Sequence, residues 1–165
     1  MALEIERRFL IKNEHWRKYI IDQYSIEQGY FSSNSKEWVI RIRLQKERYK
    51  LTIKKHISSF TNYEFEYDIP IDDGLVIMSN LQNKVTKERY LLAFKERKWI
   101  VDCFKNGNYP LKIAEIELNN EKDNIIVPDF VGREITGMKN LSNFNLSKKP
   151  ISKWSKEKLI EIKNY

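Results

Sequence analysis

The chain has 165 residues, 41% hydrophobic and 32% charged, with 5 Gly and 4 Pro; this suits one globular domain over residues 1–165 and excludes a disordered or fibrous class. A formal net charge of +7 and a pI near 9.3 call for an anionic partner, although net charge alone does not separate nucleic acid from a small phosphate compound. Cys103 is the single cysteine, which excludes an internal disulfide framework, and with no leader pattern and no apolar run of membrane-spanning length a cytoplasmic protein is expected.

As a strand, residues 2–10 place Glu4, Glu6 and Arg8 on one face and Leu3, Ile5, Arg7 and Phe9 on the other. The two carboxylates then stand roughly 7 Å apart and need either open water or a cation between them. Asn13 is placed to cap a short helix from Glu14 to Ile21. A turn is expected at Ser32–Ser35 after Gln28-Gly-Tyr-Phe31. Trp38–Leu44 follows as a strand with Arg41 and Arg43 sharing a face.

Tyr49–Lys55 sets Lys50, Thr52 and Lys54 opposite Leu51 and Ile53, and Tyr63–Ile69 sets Glu64, Glu66 and Asp68 opposite Phe65, Tyr67 and Ile69. Pro70 ends that strand, and a short helix is expected from Asp72 or Asp73 to about Leu81 despite Gly74 in its first turn. Lys84–Phe94 carries Lys87 and Arg89 on one face, Trp99–Phe104 continues the strand pattern, and Asn106-Gly-Asn108 signals a turn. Leu111–Leu118 brings Glu115 and Glu117 together on one face. A helical stretch is expected near Met138–Asn145, and an amphipathic helix at about 152–163, where Ile151, Trp154, Leu159 and Ile162 cluster. His15 and His56 are isolated and read as surface or packing residues.

These faces segregate charge by strand: acidic at 4 and 6, 64 and 66, 115 and 117; basic at 41 and 43, 50 and 54, 87 and 89. An ordinary half-exposed sheet mixes signs, because like charges directly opposed destabilise it. A closed antiparallel barrel turns all these faces into one lumen, with the apolar faces and the core packed against helices outside. Polyphosphate with a divalent metal is the economical filling: carboxylates offer oxygen ligands to magnesium or manganese, while arginine and lysine clamp phosphate oxygens.

Glu4-Ile-Glu6-Arg-Arg8, Gln28-Gly-Tyr30, Arg41-Ile-Arg43, Thr52-Ile-Lys54, Glu64-Phe-Glu66, Lys87-Glu-Arg89-Tyr90, Trp99-Ile-Val-Asp102, Ala114-Glu115-Ile-Glu117-Leu118 and Gly132-Arg-Glu134-Ile-Thr136 together resemble the CYTH domain of the triphosphate tunnel metalloenzymes, nearest in motif set to small bacterial inorganic triphosphatases. The resemblance implies an α+β, mainly β fold built on an eight-stranded antiparallel tunnel. It implies a triphosphate or short polyphosphate substrate and dependence on Mg2+ or Mn2+. Glu4, Glu6 and Glu117 are implied as metal ligands with Glu115 in support of them, Arg8, Arg41, Arg43, Lys54, Lys87 and Arg89 as phosphate ligands, and Tyr30 as a group that orients water. One departure stands at position 8, where the family motif usually ends in lysine. Arginine keeps the charge but is a poor proton acceptor, so slow hydrolysis is expected, and Arg8→Lys is expected to raise the rate.

Glu64 and Glu66 read as partners that fix lysines and arginines, with a place behind the metal ligands as the alternative. Asp102 shares its face with Ile100 and Phe104, and Glu134 either pairs with tunnel arginines or begins a helix. The function read from the residues and the resemblance is metal-dependent hydrolysis of inorganic tripolyphosphate or another short triphosphate. Alternatives are a polyphosphate-binding module without turnover, a thiamine or nucleoside triphosphatase, and a class IV adenylyl cyclase. Nucleic acid is disfavoured, because the basic residues interleave with acidic strands instead of forming an outward stripe. A homodimer through the apolar outer strands is compatible with the sequence.

Overall fold

The computed structural model describes residues 3–32 and 37–162. Eight strands form a ring: β1 (Leu3–Ile11), β2 (Ile20–Tyr30), β3 (Trp38–Gln45), β4 (Arg48–His56), β5 (Thr61–Ile69), β6 (Asn83–Phe94), β7 (Arg97–Phe104) and β8 (Lys112–Glu117). Neighbours run β5-β4-β3-β2-β6-β7-β8-β1, all antiparallel, and β1 returns to β5 through Leu3↔Tyr63, Glu4↔Asn62 and Ile5↔Thr61. The barrel is therefore closed, as expected, and mainly β. A ninth strand, β9 (Val131–Glu134), pairs with the other half of the same β1 edge through Phe9↔Glu134 and Ile11↔Val131.

Most of β2 escapes a sequence reading. Its inward side chains from Ile26 onward are Ile26, Gln28 and Tyr30, all buried, and polar residues on the buried face erase the usual alternation. Strand β9 is too short to carry a pattern.

Closure sorts the side chains by parity. Outside, Phe9, Trp16, Trp99, Val101 and Phe130 pack in one cluster, while Ile42, Tyr49 and Met78 pack beneath α1 (Ile71–Asn80) in another. A third cluster departs from the expectation of a wholly external core. Leu10, Val85, Phe104 and Ile113 share the inward faces of Arg8, Lys87, Asp102 and Glu115, and they join Leu141, Leu146, Ile151 and Ile162. Apolar side chains thus stop part of one barrel end, which is why Asp102 and Phe104 occupy the same strand face.

The connecting helices follow local capping chemistry. Asn13 Oδ1 accepts from the His15 backbone N–H at 2.9 Å and starts a 3₁₀ turn over Glu14–Tyr19. Near the end of the chain, α2 (Asn143–Lys148) is capped by Ser142. The single terminal helix expected over 152–163 is instead a 3₁₀ turn at Ile151–Lys153 and α3 (Lys156–Glu161), because Trp154 is extended and Ser155 starts a new helix with its side chain as the cap. Its apolar stripe still packs, with Ile151 and Ile162 in the stopper and Trp154 and Leu159 against it. Residues 33–36, where most of the Ser32–Ser35 turn was expected, and Lys163 lie outside the described residues. No described helix is long and apolar enough to cross a membrane.

Candidate active site

Two adjoining cavities occupy the lumen. One, about 520 Å³, is lined by Glu4, Glu6, Arg43, Glu66, Arg89 and Glu117 among others; the second, about 590 Å³, lies toward the partly stopped end beside Arg8, Tyr30, His56 and Phe144. Glu6, Arg41, Lys54 and Asn143 line both, so the lumen is a channel with its junction at these four side chains.

Strand register builds the charged walls. Opposite one another on the β1–β8 ladder stand Glu6 and Glu117, then Arg8 and Glu115. Arg8 Nε donates to Glu115 Oε1 at 3.1 Å and its Nη2 donates to the Leu141 carbonyl at 3.2 Å. Arg89 forms a two-pronged pair with Asp102 at 2.7 and 2.7 Å and reaches Glu115 Oε2 at 3.1 Å. Burial alone would raise Asp102, but Arg89 and Lys87 outweigh it and hold this carboxyl well below the usual range. Lys87 donates to Asp102 and, at 3.4 Å, to Asn143 Oδ1.

On the far wall, Arg41 donates to Thr52 Oγ1 at 3.2 Å and to Glu64 Oε1 at 3.4 Å, and lies 3.6 Å from Glu66. Lys54 pairs with Glu4 and, at 3.3 Å, with Glu64. Burial, reinforced by neighbouring Glu6, pushes Glu4 up to about 7. Gln28 accepts from Arg43 Nε at 3.2 Å and donates to the Tyr30 hydroxyl at 2.7 Å. Burial also raises the Tyr30 phenol above its ordinary value.

The unpaired groups matter most. Arg43 has no salt-bridge partner among the described residues, and burial together with Arg41 and Arg89 pushes it down to about 10. Glu6 and Glu117 likewise form no hydrogen bond or ion pair through their side chains among the described residues. Strands β3 and β8 are four positions apart in either direction around the ring. One wall therefore carries a guanidinium with no paired carboxylate, and the opposite wall carries two carboxylates with no paired cation.

The two cavities bring together Glu4, Glu6, Arg8, Tyr30, Arg41, Arg43, Lys54, Arg89 and Glu117, and four side chains stand in settings other than those expected. Lys87, expected at a phosphate, is fully buried beneath the lumen and lines neither cavity. Glu115, expected among the metal ligands or in support of them, has both oxygens engaged by Arg8 and Arg89. Glu134 neither faces the tunnel nor begins a helix: it sits in β9 and pairs with Arg7 on the outer face at 2.6 Å. His56, read as a surface or packing residue, lines the second cavity. Among the described residues no three His, Cys, Asp or Glu side chains converge on a common point. The donor set of Glu4, Glu6 and Glu117 still fits a hard divalent cation in its chemistry, being oxygen-only and carried on adjoining strands with two of its three members unpaired. No pattern along the chain points to Asn143, which reaches the channel from α2, outside the barrel strands.

The chain is 34% identical over 152 residues to an inorganic triphosphatase of Acetivibrio thermocellus, covering 91% of this chain and 96% of that relative. It is also similar to the crystal structure of the inorganic triphosphatase NE1496, with a TM-score of 0.63 and 25% identity, covering 89% of this chain and 95% of that one. The PH1012 protein of Pyrococcus horikoshii shares the fold, with a TM-score of 0.58 and 16% identity over 72% of this chain and 80% of its own. No protein-family profile matches the chain.

Proposed function

The chain belongs to the CYTH family of triphosphate tunnel enzymes, and on that premise we propose that it hydrolyses inorganic tripolyphosphate in this channel with Mg2+ or Mn2+ as cofactor. The observation that carries the reading is the separation of unpaired charge: a half-buried guanidinium at Arg43 faces, across the ring, the unpaired carboxylates Glu6 and Glu117. Only a ligand with anionic and cationic parts relieves both walls, and a phosphate chain carrying a divalent ion is one.

In this reading Arg43, Arg41 and Arg89 bind the phosphate chain, with guanidinium forks matched to its oxygens. Glu4, Glu6 and Glu117 would hold the metal, which would leave Lys54, now paired with Glu4, free to bind phosphate. When bound there, the ion supplies Lewis-acid charge to the phosphate oxygens. Glu115, fixed by two arginines, holds those arginines in line. Water attacks the terminal phosphorus, the bridging P–O bond breaks, and phosphate and pyrophosphate leave with the protons of water. Tyr30, a neutral phenol whose burial raises it further from ionisation, orients that water. Arg8 carries positive charge near the reacting end but takes no proton, since Glu115 and Glu6 outweigh burial and keep it charged.

Phosphate release from tripolyphosphate, pyrophosphate, ATP and thiamine triphosphate, with Mg2+, Mn2+ or a chelator, tests the reading. Release from tripolyphosphate that needs either metal is the expected result. Tripolyphosphate binding without release under every condition would replace it with a binding module, and cyclic AMP formed from ATP would replace it with a cyclase.

A further inference from the structure

Asn143 is the one side chain from outside the strands to line both cavities among the described residues. It stands at the channel junction with Glu6, Arg41 and Lys54. Its neighbour on the buried side is Lys87, whose ammonium lies 3.4 Å from Oδ1. An ammonium has three donors and no acceptor, so the carbonyl end of the amide must face it. The NH2 end is thereby turned away from Lys87 and toward the channel. Lys87 is itself held by Asp102 and is fully buried, so the orientation is set from beneath the lumen by a group that substrate does not displace.

We propose that Asn143 is a substrate-contact residue, donating its amide N–H to a phosphate oxygen at the channel junction while Lys87 fixes the direction of that amide. The inference rests on the reading of the channel as a triphosphate site and adds to it a neutral ligand from α2. A neutral donor suits this position: it binds an anion without adding to the crowd of cations around Arg43.

Two variants separate contact from a merely structural role. Asn143→Asp keeps an acceptor for Lys87 and hence the docking of α2, but turns an acceptor toward phosphate. Asn143→Leu removes the donor without adding charge. Losing a hydrogen bond to a charged group is expected to raise KM for tripolyphosphate roughly tenfold or more in both variants, with kcat changed less than KM and with a larger rise for Asn143→Asp. A wild-type KM in Asn143→Asp would overturn the inference by showing that docking was all the amide supplied, and so would a wild-type KM in Asn143→Leu. Should Asn143→Leu lower the Tm, the Asp variant alone carries the decision. Failure of the underlying reading is distinct, because then the wild-type protein itself releases no phosphate from tripolyphosphate.

Discussion

Arg43 holds a half-buried guanidinium with Gln28 accepting from its Nε, between Arg41 and Arg89, which repel it. Such a charge costs stability, since partial burial removes water and no paired carboxylate replaces it. Arg43→Met is therefore expected to raise the Tm by a few degrees while tripolyphosphate binding falls at least tenfold; calorimetry and thermal melts check the two halves, and a lower Tm would contradict the account. Arg8 poses the converse case, because its fork serves both Glu115 and the Leu141 carbonyl. Arg8→Lys is expected to raise kcat, since a lysine pKa can be tuned, and to cost about 1 kcal/mol for the hydrogen bond lost at Leu141. An unchanged or lower kcat with intact metal binding would remove the argument about position 8. Lys87 carries a pH prediction. Burial, opposed by Asp102, lowers it to about 8, below the unfolded value near 10.4, so between those values the unfolded chain holds more protons and stability rises with pH. Urea unfolding at pH 7.5 and 9.5 should show the parent gaining on Lys87→Met; a constant difference would refute this.

At the scale of elements, α1 is placed by a missing side chain. A Cβ on Gly74 would lie 2.2 Å from Tyr49 Cγ and 2.5 Å from its Cδ2, and Tyr49 is part of the buried cluster under the helix. Glycine costs a helix about 1 kcal/mol relative to alanine, yet here it permits the close approach that buries Met78 and Tyr49. Gly74→Ala is expected to lower stability by about 1–3 kcal/mol, since overpacking exceeds the gain in propensity, and a raised Tm would show that α1 can shift freely. The other elements divide along similar lines. Strands with one charged and one apolar face were legible, whereas β2 hides its register behind Gln28 and Tyr30.

The whole molecule is a ring whose interior charges are fixed before any ligand arrives. Closure brings Glu4, Arg41, Arg89 and Glu117, far apart in the chain, onto one lumen, so a ligand that neutralises the lumen should stabilise the entire barrel. Tripolyphosphate in the presence of chelator, at about a hundred times its Kd, is expected to add about 2.7 kcal/mol. The resulting Tm shift should shrink as salt is added, because the lumen is open to water at its mouth. A shift insensitive to salt would place the ligand elsewhere.

The sequence by itself determined which strand faces are charged, the signs they carry and the need for an enclosed, wet interior to hold them, because period-two alternation is local and survives without knowledge of neighbours. It also carried the side chains of the channel wall, Glu4, Glu6, Arg41, Arg43, Lys54, Arg89 and Glu117. Tertiary structure decided the rest. Lys87 and Arg89 are equivalent in pattern, yet apolar Val85 and Phe104 surround the first and seal it away while the second borders the cavity. Glu134 turned outward because β9 occupies the edge of β1, and Asn143 entered the channel because α2 docks on its end. Depth along a barrel and contacts from outside the sheet are set by packing between distant segments, and no spacing along one strand encodes them.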